Sequence, residues 1–226
     1  TVGAASKFED SFAGIRKTVD ATEAQFSTLA LQVRQLAQDI PVAVTQLNQI
    51  GELGGQLGVG VDNLEEFIEV IAQVGVATRL STESAALSLA RLDQIFGLQG
   101  KSFDRLASSL VDLGNNFAAL EDEILSTALR LAAAGKVAGA TAADVLGIAT
   151  ALQAVGVQSQ AGGTAMARVF QQIQIAVSTG GRQLEVFAET TGLTTEQFQN
   201  LAKADPASAL NLFVTSLAAA SKAGTN

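Results

Sequence analysis

Few side chains in this sequence are equipped for chemistry, and they are quickly named. Glu83-Ser84 pairs a carboxylic acid with a hydroxyl, as in enzymes that cleave glycosidic bonds, where the acid protonates the leaving oxygen. The pair follows Ser81-Thr82, a helix start, where the helix dipole favours an acidic residue in any case, so capping accounts for Glu83. Gly100-Lys101-Ser102 has the ending of a phosphate-binding loop. The first glycine of that pattern would fall at Ile95, however, and a strand should precede it where a helical pattern does. Gly58-x-Gly60 lacks a third glycine, because position 63 is Asn63. Glu52, Asp62, Glu65, Glu66 and Glu69 crowd a stretch with no basic residue between Arg34 and Arg79. Their spacing is not that of a calcium loop, and they read as a solvated acidic face.

What is missing narrows the chemistry further. The 226 residues contain no His, Cys, Trp or Tyr. Thiolate and imidazole metal sites, disulfides and Cys–His or Ser–His–Asp nucleophiles are thereby excluded. No cofactor, metal or catalytic residue is expected. Lys and Arg number 14 against 22 Asp and Glu, a net charge of −8, which argues against specific nucleic-acid binding. A hydrophobic content of 48% with 16% charged residues excludes a disordered acidic tail and suffices for a real core. Mean hydropathy is +0.30, but the longest uncharged stretch, between Asp144 and Arg168, contains Gln153, Gln158, Ser159, Gln160 and Gly162-Gly163, too polar for a spanning helix. The single Met is Met166, so the chain reads as a segment of something longer or a processed product.

The elements that would position these residues are helical throughout. Phe8, Phe12, Ile15, Val19, Phe26, Leu29, Val33, Leu36 and Ile40 recur at steps of three and four, with Thr22 in the one skipped slot. That period of 3.5 predicts one continuous coiled-coil helix over 1–40 whose seam meets partner helices, most simply copies of the same chain. A long amphipathic helix docked on the rest of the chain is the alternative. Pro41 ends or kinks the helix. Gly51, Gly54, Gly55 and Gly58 then crowd residues 41–60, which read as a glycine-rich helical joint or a site of close helix contact. As a hinge, the stretch should accept alanine at Gly54 and Gly55 with a gain in helix stability. Residues 61–226 read as a compact bundle of short helices. Starts are marked at Ser81, at Thr141, at Thr194 with Gln197, and at Asp205-Pro206; stops are marked at Gly97, near Gly135 and at Gly156. Phe67, Phe96, Phe103 and Phe170 are expected in the core. No alternating strand pattern appears, and the fold class is all-α.

Residues Leu131 to Phe170 carry a recognisable pattern. Ala132-Ala133-Ala134-Gly135 closes one helix and Thr141-Ala142-Ala143-Asp144 opens the next. Ala151-Leu152-Gln153-Ala154-Val155-Gly156 ends that helix, and a turn of Gln160, Ala161, Gly162, Gly163, Thr164 and Ala165 leads into a helix bearing Arg168. This run resembles the core domain of phage tail tape measure proteins, with one extra glycine at 162–163. Leu113-Gly114-Asn115-Asn116 with Glu121 and Glu123, and the front segment breaking at Ile40-Pro41, are similar to the family as well.

The resemblance implies a structural component of the virion, lying in the tail tube lumen or at the tip. It would set tail length and leave ahead of the DNA, passing into the host envelope. It also implies self-association, as a trimer, contacts with tail tube and distal tail or tip proteins, and transient contact with the host membrane. Two other classes remain open at this point: a secreted membrane-active helical protein, and a cell-wall hydrolase acting through Glu83.

Overall fold

The computed structural model describes the backbone of residues 2–100 and 102–224, and these are helical with no strand among them. In chain order the helices are α1 (Val2–Thr18), α2 (Glu23–Asp39), α3 (Val44–Gln56), α4 (Val61–Ala77), α5 (Thr82–Phe96), α6 (Phe103–Asn116), α7 (Glu121–Ala138), α8 (Ala142–Ala154), α9 (Ser159–Thr179), α10 (Arg182–Thr191), α11 (Thr195–Ala204) and α12 (Pro206–Gly224). The expected starts are where the sequence places them. Thr141 and Thr194 each accept from the backbone N–H three residues on, while Asp144 and Gln197 reach back to the cap. Ser81 accepts from the Ser84 N–H, and Asp205 accepts from the Ser208 N–H at 2.9 Å just before Pro206 opens α12. Each such cap supplies about 1 kcal/mol.

The contact pattern divides the chain into two units, Thr1–Leu125 and Ser126–Asn226. The expected boundaries at residues 40 and 60 both fall inside the first.

In that first unit the front of the chain differs from the expected rod. The helix stops at Thr18 and restarts at Glu23, so residues 1–40 do not form one continuous helix. The cause is local. Thr22 and Gln25 form a reciprocal capping box: the Gln25 N–H donates to Thr22 Oγ1, and the Thr22 N–H donates to Gln25 Oε1. The pair satisfies two N–H groups that a helix start leaves unpaired, which compensates for breaking the helix there. Chain reversal follows. Arg34, late in α2, bonds Glu9, early in α1, at 3.2 Å and lies 3.7 Å over the Phe8 ring. Arg16, late in α1, bonds Glu23 at 2.7 Å and lies over Phe26. α1 and α2 are thus an antiparallel hairpin, with the Phe12 and Phe26 rings edge to face between them at 6.4 Å.

Two further helices complete the front bundle. Gly51 and Gly55 of α3 lie against Ile15 and Val19 of α1, while Gly54 lies against Leu64 and Phe67 of α4. The paired positions rise together between α1 and α3 and run oppositely between α3 and α4, giving an up-down-up-down arrangement. Asn48 is buried between α1 and α3, donating to Ser11 Oγ at 2.7 Å and to the Phe8 carbonyl at 3.4 Å. Its Oδ1 has no partner. A buried polar group of this kind costs stability while fixing which turns of the two helices meet. Phe67 extends the core to α6 through an edge contact with Phe103 at 5.0 Å.

In the second unit Phe187 of α10 stacks on Phe198 of α11 at 5.5 Å and meets Phe213 of α12 edge-on at 4.8 Å. Gln199 of α11 donates to the Val177 carbonyl at the end of α9 at 2.7 Å. Phe67, Phe96, Phe103 and Phe170 are all buried, as expected.

Candidate functional site

A protein built from packing surfaces has its working residues at helix contacts, and the sequence nominated three such sets. The first was the seam. All nine residues, Phe8, Phe12, Ile15, Val19, Phe26, Leu29, Val33, Leu36 and Ile40, are buried at 8% exposure or less within the chain itself. The assignment of this seam to partner helices is therefore corrected: its apolar surface is already covered by α2, α3 and α4. The 3.5-residue period is real, but hairpins in a bundle bury the same narrow stripe as a two-chain rod.

The second set was the hinge. Pro41 does end α2: Ile40, in extended conformation, caps it, and α3 begins at Val44. The glycines are another matter. Gly51, Gly54 and Gly55 lie within α3, two of them buried. A Cβ at Gly51 would fall 2.6 Å from Ile15 Cδ1 and 2.9 Å from Ile68 Cδ1, and one at Gly54 would fall 2.8 Å from both Leu64 Cδ1 and Phe67 Cδ1. At Gly55 it would meet Val19 Cγ2 at 2.6 Å. These residues are seats for neighbouring helices, not a joint, and alanine there is expected to destabilise. Only Gly58 serves as a stop. Its φ is +83°, and the N–H groups of Gly58 and Val59 return to the carbonyls of Gly55 and Gly54, which closes α3 with a left-handed residue that only glycine adopts without strain.

The third set was the turn resembling tape measure proteins. Gly156 occupies it, with φ +76°. Gln160, Ala161, Gly162, Gly163 and Thr164 instead form the first turns of α9, so the expected turn is shorter than the motif. The close approach expected from the small residues is present. A Cβ at Gly163 would fall 2.9 Å from Arg130 Cβ and 3.4 Å from the Thr127 carbonyl, so the start of α9 sits against α7. A buried polar link completes the junction. Gln153 of α8 donates to Thr127 Oγ1 at 2.6 Å and to Ser159 Oγ at 3.1 Å, tying α7, α8 and α9 together. Thr127 and Ser159 gave no sequence signal, since a hydroxyl on a helix is as often solvated as buried.

The chemical candidates are placed as follows. Glu83 lies exposed in the first turn of α5, next to its Ser81 cap. Gly100 and Ser102 lie in the loop after α5, a helix and not a strand, and Lys101 is outside the described residues. That loop is fastened by Asp93, whose Oδ1 accepts from the Gly100 N–H at 2.9 Å. Asp93 is 8% exposed; burial raises its pKa, and the Gly100 N–H partly opposes the rise. Among the described residues no group of three or more acidic side chains is placed to hold a metal ion, and no helix is long and apolar enough to cross a membrane.

Compared with known protein families, residues 31–226 match the model of the phage-related minor tail protein. The chain belongs to that family. The match starts within α2 and takes in every later helix, so it includes the glycine seats of α3 and the α7–α8–α9 junction. A structural role in the phage tail follows from membership. No curated protein and no solved structure matches the chain.

Proposed function

We propose that this minor tail protein is a tape measure segment, lying in the tail tube or tip, contributing to tail length and leaving ahead of the DNA. The observation that carries the finer reading is the tape-measure-like run from Leu131 to Phe170; the family match over residues 31–226 supports the tail role within which it falls. The physical features support it. A net charge of −8 keeps the chain from adhering to DNA packed behind it. Glu83 has a sufficient explanation in its helix start, and the role is structural, without catalysis. Its partners are tail tube and distal tail or tip proteins, further copies of itself and, during delivery, the host envelope.

Tail length tests this directly. An in-frame deletion of residues 126–226, the second unit, in the phage that encodes the protein is expected to give shorter tails by electron microscopy. The upper bound is about 150 Å, the helical length of that segment at about 1.5 Å per residue. Tails of unchanged length would overturn the tape measure reading and leave only the family's tail role.

A further inference from the structure

A small cavity in the first unit is lined by hydrogen-bond acceptors that the described residues leave unsatisfied. It holds about 180 Å³ where the ends of α3 and α5 meet the starts of α4 and α6, and Val59, Asn63, Asp93, Gln94 and Phe103 are in its lining. Asp93 is 8% exposed. Its Oδ1 accepts from the Gly100 N–H at 2.9 Å, while its Oδ2 accepts from no described residue. The two amides have their nitrogens committed. Asn63 Nδ2 donates to the Gln99 carbonyl at 3.1 Å, and Gln94 Nε2 donates to the Leu57 carbonyl at 2.7 Å. Each is left with its oxygen, which likewise accepts from no described residue.

These oxygens sit on a fixed frame. Gln99 has φ +59°, a left-handed conformation that strains a residue other than glycine. A Cβ at Gly100, where φ is +75°, would fall 2.8 Å from Asn63 Nδ2, so the loop lies directly on Asn63. Asn63 of α4 and Asp93 of α5 thus fasten the loop from two different helices.

A buried carboxylate without a counter-charge is costly, and burial accordingly raises the Asp93 pKa. The ligand that removes this cost is a cation that donates hydrogen bonds. Residues 1–125 hold 17 of the 22 acidic side chains but only eight of the 14 basic ones, so the field of this unit draws cations. The cavity is smaller than the about 300 Å³ at which pockets for drug-sized molecules begin, and it admits a side chain or a small amine. With Oδ1 engaged by Gly100, one carboxylate oxygen is free, whereas the fork of a guanidinium takes two. An ammonium instead donates three bonds from one atom, matching three separate oxygens. Val59 and Phe103 give its methylenes an apolar wall. We infer that this cavity binds a primary ammonium group from outside the chain, supplied by a lysine of a neighbouring protein or by a free alkylamine. The inference is independent of the tape measure reading.

Titration of the labelled 226-residue chain with n-butylammonium at neutral pH, followed by amide NMR, tests this. Saturable shifts are expected at the Gly100 N–H and at the side-chain amides of Asn63 and Gln94. Asp93→Asn keeps an acceptor for Gly100 and removes the charge, so it should fold with an unchanged or higher melting temperature. Its affinity for butylammonium should fall about tenfold or more. Two probes need no variant: n-butylguanidinium and tetramethylammonium should both bind more weakly than butylammonium. Lysine blocked at its backbone amine and carboxyl identifies the source. Binding as tight as butylammonium assigns the site to a protein side chain, and exclusion assigns it to a free amine. No saturable shift, or equal binding by Asp93→Asn, would overturn the site. Equal binding of the guanidinium or of tetramethylammonium would overturn its assignment to a primary ammonium. Binding that appears only in Lys101→Gln would show that the chain's own lysine fills the cavity, and would overturn an outside source.

Discussion

Phe12→Ala is expected to destabilise the chain by about 3–5 kcal/mol, the usual cost of emptying a phenylalanine site in a packed core, with no change in how the chain associates. Phe12 is 2% exposed and its ring touches those of both Phe8 and Phe26. Its removal therefore opens a cavity inside the α1–α2 hairpin, where Phe8 and Phe26 are already held from outside by Arg34 and Arg16. Urea unfolding gives the energy and sedimentation gives the association state. A stability loss under about 1 kcal/mol, accompanied by a shift from oligomer to monomer, would mean that the seam serves partner chains after all.

The double substitution Gly51→Ala, Gly54→Ala has the second large effect, and its sign is opposite to that expected of a hinge. Alanine contributes up to about 1 kcal/mol of helix propensity per site. Against this, each new methyl would lie closer than 3.0 Å to two side chains: Ile15 of α1 and Ile68 of α4 at one position, Leu64 and Phe67 of α4 at the other. Overpacking of that kind costs about 1–3 kcal/mol per site. Because the obstructing atoms are buried and cannot swing into solvent, the upper part of that range applies. The expected net loss is about 1–2 kcal/mol per site, read as a lower denaturation midpoint. An increase in the midpoint would restore the hinge reading.

These two cases also show where the sequence was legible. Four helix starts after residue 61 could be placed to the residue, because side chains there act locally: Ser81, Thr141, Thr194 and Asp205 each bond within three residues of themselves. The start of α10 has no such cap and that helix was not read, and Gly135, expected near a helix end, lies inside α7. The same local chemistry was present at Thr22-Glu23-Ala24-Gln25. There the uninterrupted apolar period concealed it, since Thr22 fits a seam slot as well as a cap. The glycines of α3 could not be read at all from their neighbours in sequence. Whether a glycine is a joint or a seat depends on what lies across from it, and Ile15 stands 36 residues before Gly51. The partner-helix seam failed for the same reason: burial of Phe12 against Phe26 and burial against another chain leave the same pattern. The α7–α8–α9 junction was half legible, through Gly163 but not through Thr127 and Ser159.

The central claim is that the first forty residues fold back into the protein's own core. Spin labels on Asp10→Cys and Gln35→Cys, both exposed positions in a chain that has no other Cys, measure it most directly. Neighbouring helices in a hairpin have axes about 8–10 Å apart, so the labels should lie within about 20 Å of each other once their own arms are included. A continuous helix would separate the two positions by about 38 Å, at about 1.5 Å per residue. A single population near the short distance is the result expected, and a population near the long one would contradict the fold described here.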